Sequence, residues 1–245
     1  MSKFKNIERN LLEIGNLLSP DNRMVPPPVV INLDKDKDRH RDIDKHLSEL
    51  KIRYSRLAAL NGVTLPATGL TVGETSCSLS HAAAVRYMIL ADNQRYVNCK
   101  AWLILEDDCR FLVNPRMALA WILANVPPDW SIVSLGSYNK DRPDLKDGQY
   151  RLHTKFSWVP YGSHAYLVNP THAHRILGLF SSCTAPVDHI LHSEFASGKG
   201  YLIRPSISYQ ELYPSNVADW GVRKSVKHHA DLHEDDLKIL REENE

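Results

Sequence analysis

Ala101-Trp102-Leu103-Ile104-Leu105 is an unbroken apolar run, and Glu106-Asp107-Asp108 follows it directly. A short apolar run without alternation reads as a strand covered on both faces, the pattern of a parallel α/β sheet. Ligands of open α/β sheets bind beyond the carboxyl ends of the strands, and the acidic triplet stands at such an end. Neighbouring carboxylates repel each other and are costly to desolvate unless a cation or a basic group is near. An all-oxygen set of this kind suits magnesium or manganese bridging to phosphates. A solvated acidic turn is the competing account.

Outward from this strand, Val29-Val30-Ile31-Asn32-Leu33 forms a second buried-strand run, approached through Pro26 to Pro28. Ile43, Leu47 and Leu50 have helical spacing, and Ile52 to Ala58 returns as a strand. A β-α-β unit of about 30 residues results, which predicts a parallel sheet. An alanine-rich helix from Glu74 to Ala91 leads into the Ala101 strand. Beyond the triplet the pattern predicts helix 116–125, strand 131–135, strand 165–168, helices 170–181 and 186–196, and strands near 201–210. Residues 136–159 read as loops with room for a hairpin. The expected architecture is one α/β domain over 26–216, a Rossmann-type sheet flanked by helices. An amphipathic helical appendage (1–25, with Ile7, Leu11, Ile14, Leu17 and Leu18) precedes it, and a polar, His- and acid-rich tail (217–245) follows.

Composition narrows the function classes. With 245 residues, 43% hydrophobic and 24% charged, the chain has globular statistics. Thirty basic against 29 acidic side chains leave +1, so no overall field draws it to nucleic acid or anionic lipid. The longest apolar run, Met117 to Ala124, is far short of the roughly 20 residues of a membrane span, which leaves room only for peripheral membrane contact. Charges from Lys3 to Glu13 interrupt anything like a signal peptide, and the four cysteines contain no Cys-x-x-Cys pair. The expectation is reduced thiols and a cytoplasmic setting.

Five further segments carry chemistry-bearing residues. Asp34, Asp36, Asp38 and Arg39 follow the first strand, where Arg39 suits a phosphate or a base edge and a charged helix start is the plain alternative. Gly73-Glu74-Thr75-Ser76-Cys77-Ser78-Leu79-Ser80-His81 opens a helix. Ser80 and His81 point about 100° apart there, so they form no nucleophile pair. Gly162-Ser163-His164-Ala165-Tyr166 opens a strand, and Pro186-Val187-Asp188 puts an acid at a helix start, where an N-cap is the structural alternative. In the tail, His229 and His233 are four residues apart and would share a helix face able to bind a metal, against the commoner fate of a solvated terminus.

In order, these segments resemble glycosyltransferase family 25, the lipooligosaccharide and procollagen sugar transferases. The resemblance runs over Val30 to Asp34 with Asp38-Arg39, Ala59-Leu60-Asn61-Gly62, Gly73-Glu74 with Cys77 to His81, Leu103 to Asp108, Ser163 to Val168, Pro186-Val187-Asp188, and Pro205 with Gln210 and Ser215. The chain departs from the family's Gly-Glu-Ile-Gly-Cys at Thr75-Ser76.

The resemblance implies a GT-A fold and a metal-dependent transfer of galactose or glucose from UDP-galactose or UDP-glucose to a hydroxyl of a glycan or glycoconjugate. It implies Asn32, Leu33, Arg39, Ser80, His81, Glu106 and Asp107 on the donor side. A divalent metal, manganese first and magnesium second, is then expected on Asp108 with Glu106. The base for the acceptor hydroxyl is expected at Asp188, with His164 as second candidate. A non-catalytic nucleotide-sugar or carbohydrate-binding protein on the same fold, and a metal-dependent phosphohydrolase, are the other readings.

Overall fold

The computed structural model describes residues 17–18, 24–65, 68–92, 99–136, 150–154, 162–211 and 213. Among the described residues, five helices pack on a sheet of seven strands: α1 (Lys37–Glu49), α2 (Val72–Asp92), α3 (Pro115–Asn125), α4 (Ala173–Ser182) and α5 (Val187–Ala196). The strands of that sheet are β1 (Val29–Asn32), β2 (Ser55–Ala58), β3 (Trp102–Glu106), β5 (Ile132–Ser134), β6 (Arg151–His153), β7 (Ala165–Val168) and β8 (Gly200–Arg204), in the order β2-β1-β3-β7-β5-β8-β6. Two further strands, β4 (Cys109–Phe111) and β9 (Ser208–Gln210), form a separate antiparallel pair.

Alternation along each strand divides the core. Val30, Leu103, Leu105, Val133 and Leu167 face α1 and α3, where Ile43, Leu47, Leu119 and Ile122 meet them. Val29, Ile31, Trp102, Ile104, Tyr166 and Val168 face α2, α4 and α5, where Val85, Met88, Ile176, Phe180 and Leu191 meet them. Both faces are covered, which is why these strands read as continuous apolar runs. A local capping signal sets the start of α3: Asn114 caps it by accepting from the Arg116 N–H at 3.2 Å, with Pro115 in the first turn.

The expectation of a parallel sheet needs correcting. β1 pairs in parallel with β2 and β3, and β5 with β8, but β7 runs antiparallel to both β3 and β5, and β6 antiparallel to β8. The sheet is therefore mixed, with β7 set between two strands that run opposite to it. The 136–159 region contributes the edge strand β6, while 137–149 and 155–161 lie outside the described residues. The 170–181 helix begins as a 3₁₀ turn at Pro170–His172. β4 has no counterpart in the sequence reading. Of the N-terminal helix, only Leu17 and Leu18 are described. They form a turn, Leu18 has φ 65, and both are buried in the core beside α1 and α3. The tail, with His229 and His233, lies outside the described residues.

Candidate active site

Mixed direction still brings the right ends together. The carboxyl ends of β1, β3 and β5 share one edge with the amino end of β7, and the Glu106 N–H donates to the His164 carbonyl there at 2.9 Å. The acidic triplet leaves β3 at this edge, and its members turn to different sides.

Asp107 faces the α1 side. Asn32 Nδ2 donates to its Oδ2 at 2.7 Å, and Arg39 Nη2 lies 2.5 Å from its Oδ1. The same Arg39 nitrogen donates to Asp108 Oδ2 at 2.6 Å, where Gln210 Nε2 also donates at 2.7 Å. The β4–β9 register sets that second contact by placing Gln210 opposite Cys109. Asn32 is held in turn by Arg56, whose Nε donates to its Oδ1 at 2.8 Å. Leu33 contributes backbone, its carbonyl accepting from the Asp36 N–H at 3.0 Å.

Glu106 faces the α2 side, in line with Trp102 and Ile104. Its Oε1 accepts from the Ser163 hydroxyl, and His81 Nε2 stands 3.4 Å away, at ion-pair distance but outside hydrogen-bond geometry. His81 Nδ1 is 2.7 Å from the Tyr166 hydroxyl. Burial raises the Tyr166 pKa well above the usual phenol value, so the hydroxyl keeps its proton and can donate to Nδ1, the direction favoured by the Glu106 carboxylate beside Nε2. An Nε2–H is thereby left facing the carboxylate.

The electrostatics of the two sides diverge. Burial works to raise the Glu106 pKa, but the His81 imidazole facing it, the Ser163 hydroxyl and the nearby His164 outweigh it and hold the carboxyl low. For Asp108, burial comes first and the negative charge of Glu106 second, and together they outweigh Arg39, so its carboxyl is pushed up. Asp107 is also raised by burial, with Arg39 and Asn32 opposing.

Ser80 and His81 are enclosed, at 2% and 1% exposure. Any part they play toward the donor therefore passes through other groups, His81 through Glu106 and Ser80 through the 59–63 loop. Ser80 Oγ accepts from the Leu60 N–H at 2.8 Å, and Ser76 Oγ accepts from the Val63 N–H at 3.0 Å. Ser76 thus pins the loop along α2, so the departure at Thr75-Ser76 leaves this backbone anchored.

Of the two base candidates, His164 is 2% exposed, its Nε2 3.3 Å from the Ser208 hydroxyl. Gly136 packs against that pair so closely that a Cβ would come within 2.1 Å of the Ser208 carbonyl, and a side chain has no room there. Asp188 lies in the first turn of α5 and is half-buried. It is not the N-cap, a place taken by Pro186, and its Oδ1 accepts from the His189 N–H at 3.0 Å. Burial raises its pKa, and the charge of Glu106 adds to that, so the expected depression by the helix dipole does not dominate. Burial pushes the Cys77 thiol up, and the charges of Glu106, Asp188 and Asp108 add to that.

Among the described residues, no group of three His, Cys, Asp or Glu side chains is disposed to hold a metal by itself. Asp108 Oδ1 is nonetheless buried and without a hydrogen-bond partner. One free carboxylate oxygen fits a cation whose remaining positions are filled by substrate phosphates and water.

Several contributors went unread as partners in the sequence. Arg110 and Tyr213 build the wall beside Arg39, whose guanidinium lies 5.0 Å from the centre of the Tyr213 ring. Tyr213 is more than 170 residues from Arg39 in the chain, and no local pattern links them.

The sequence model of glycosyltransferase family 25 (LPS biosynthesis protein) matches residues 25–191. The chain belongs to glycosyltransferase family 25. A candidate glycosyltransferase of Acanthamoeba polyphaga mimivirus is 28% identical over 153 residues, covering 56% of this chain and 46% of that protein, so the chain matches about half the length of this relative. The crystal structure of a glycosyltransferase involved in the glycosylation of the major capsid of PBCV-1 aligns at TM-score 0.48 and 9% identity, over 86% of this chain and 98% of that one. The family match spans β1 to the first half of α5 and so includes Asn32, Arg39, the acidic triplet and Asp188. Gln210 and Tyr213 lie outside it.

Proposed function

We propose that this family 25 protein transfers a hexose, galactose or glucose, from a UDP-sugar to a hydroxyl of a glycan or glycoconjugate acceptor. The observation that carries the reading is the buried Asp108 carboxyl with one unpartnered oxygen, beside Arg39, at the carboxyl end of β3. Such a site invites the cationic partner that a nucleoside diphosphate brings. A divalent ion, manganese first, would sit on Asp108 and supply Lewis-acid neutralisation of the departing diphosphate.

The chain's own residues do the rest. Arg39 supplies positive charge to the phosphate side. Asn32 fixes Asp107, which keeps Arg39 in place. Glu106, held ionised by Ser163 and His81, is a fixed negative charge on the sugar side, where positive charge develops as the glycosidic bond breaks. Asp188 takes the acceptor proton. It is reachable, and its raised pKa makes it a better base than a free carboxylate. His164 is too enclosed for that task and supports the Ser208 and Gly136 backbone instead.

Thermal unfolding with a panel of UDP-sugars, with and without manganese, tests this. We expect UDP-galactose or UDP-glucose with manganese to raise Tm, and Asp108→Asn to abolish the manganese-linked part of that rise. Transfer to an acceptor, rather than release of phosphate, separates the proposal from hydrolysis. Unchanged manganese-linked stabilisation in Asp108→Asn would overturn the assignment.

A further inference from the structure

The face of α1 turned toward the β4–β9 strand pair carries Asp42, Lys45, His46 and Glu49, one helical stripe at spacings of three and four. Between this stripe and the strand pair runs an open groove of about 460 Å³, bounded on the far side by Arg110, Glu211 and Tyr213. Its walls are built and fixed. Arg110 is buried, its Nη1 donating to the Cys109 carbonyl at 2.8 Å and its Nη2 to the Tyr213 hydroxyl at 3.1 Å. That hydroxyl donates to Asp42 Oδ2 at 2.6 Å. His46 Nε2 accepts from the Phe111 N–H at 2.8 Å, which anchors α1 to β4.

The lining is polar, aromatic and close to charge balance, with three carboxylates against two permanent cations. An anion finds no surplus of positive charge there. A cation finds no three-ligand group among the described residues. A neutral polyhydroxylated ligand finds the exposed Lys45 ammonium and Glu49 carboxylate, the Glu211 carboxylate 3.7 Å from Arg110 Nε and the Tyr213 ring together, the mixture that sugars require. Tyr213 is a wall of this groove and also lies against Arg39, which holds Asp107 and Asp108, so the groove shares a boundary with the candidate active site.

We infer that the groove between α1 and the β4–β9 strand pair is a carbohydrate subsite, seating a neutral portion of the acceptor glycan away from the hydroxyl that reacts. The assignment to an acceptor rests on the transferase reading, whereas sugar binding by the groove does not. Its volume lies in the range of small-ligand pockets and has room for about two hexose units. Exposed Lys45 and Glu49 on the α1 rim supply the contacts that a ligand would complete.

Saturation-transfer NMR on the full chain, without donor and with lactose, maltotriose and chitotriose as probes, tests the groove. At least one probe should receive saturation from the protein. Lys45→Ala combined with Glu49→Ala, both at exposed positions, should weaken that probe's binding at least about tenfold, the loss expected for one charged hydrogen bond. Asp108→Asn should leave probe binding as it is, and the double variant should keep the stabilisation by UDP with manganese. The inference is overturned if no probe binds, if the double variant binds the probe like the parent, or if the double variant loses UDP binding, which would make the groove part of the donor site. Probe binding that follows the groove while no UDP-sugar binds or turns over would sink the transferase reading and leave the subsite standing.

Discussion

Glu106 and Asp108 are two positions apart in the chain, yet the fold treats them in opposite ways. Glu106 receives a hydroxyl and an imidazole from the α2 side and is held ionised. Asp108 has an arginine and a glutamine on one oxygen and nothing on the other, while the charge of Glu106 presses on it. A carboxyl already satisfied by its own protein has little to offer a ligand. One left short of positive charge is poised to take some from outside. Asp188, raised by burial and by the same Glu106 charge, belongs with Asp108.

The comparison breaks first at Asp188 if it is wrong. Asp188→Asn should transfer sugar at least about 100-fold more slowly, the low end for losing a general base, with UDP and manganese binding unchanged. Retained turnover with about 1 kcal/mol less stability would make it a structural residue of the α5 start. Glu106→Gln comes next. Replacing an ionised acceptor by a neutral one should cost about 1–3 kcal/mol of stability at pH 7, read by denaturant unfolding. Because its folded pKa is depressed, the parent's advantage exists above the ordinary glutamate value and disappears as pH falls through the folded one.

Asp108→Asn should behave in the reverse sense. A raised folded pKa means a contribution complete below the ordinary aspartate value of about 4 and lost as pH rises through the folded value. Without donor, the parent should therefore lose stability relative to Asp108→Asn between about pH 5 and pH 8. A parent that gains on the variant over that range would remove the contrast between the two carboxyls. The smallest effect is expected for Tyr166→Phe. It deletes the hydrogen bond to His81 Nδ1 and should cost about 1 kcal/mol, while making Glu106 easier to protonate by freeing the His81 tautomer. An unchanged pH profile would show that the ring is held by its stacking alone.

The sequence made the sheet strands legible wherever burial on both faces gave a continuous apolar run, as in β1 and β3. It misjudged the direction of β7, because direction depends on what connects the strands, and the 136–159 region has no periodicity to read. β4 was missed because Cys109-Arg110-Phe111 is too short to show a pattern and exists as a strand only through β9. Of the candidate site, the acidic triplet and Arg39 stood out by their place at strand ends, and Asn32 entered only through the family resemblance. The division of the triplet between two sides was not, since it depends on strand alternation carried one residue into a turn. His81 shows the same limit. Its motif was visible, but that it reaches outward only through Glu106 follows from its burial against Tyr166.

The pairing of β4 with β9 has a consequence in time. Cys109 and Gln210 face each other across about a hundred residues of chain, so during synthesis Asp108 is made long before the side chain that steadies it. At ordinary elongation rates that is an interval of roughly 5–20 s. Through it, β1, β3 and α1 can already associate, whereas the β4–β9 pair beside the triplet must wait. Contacts of such long sequence separation form late in folding. The nascent chain thus acquires its scaffold first and its complete acidic centre among the last of its parts.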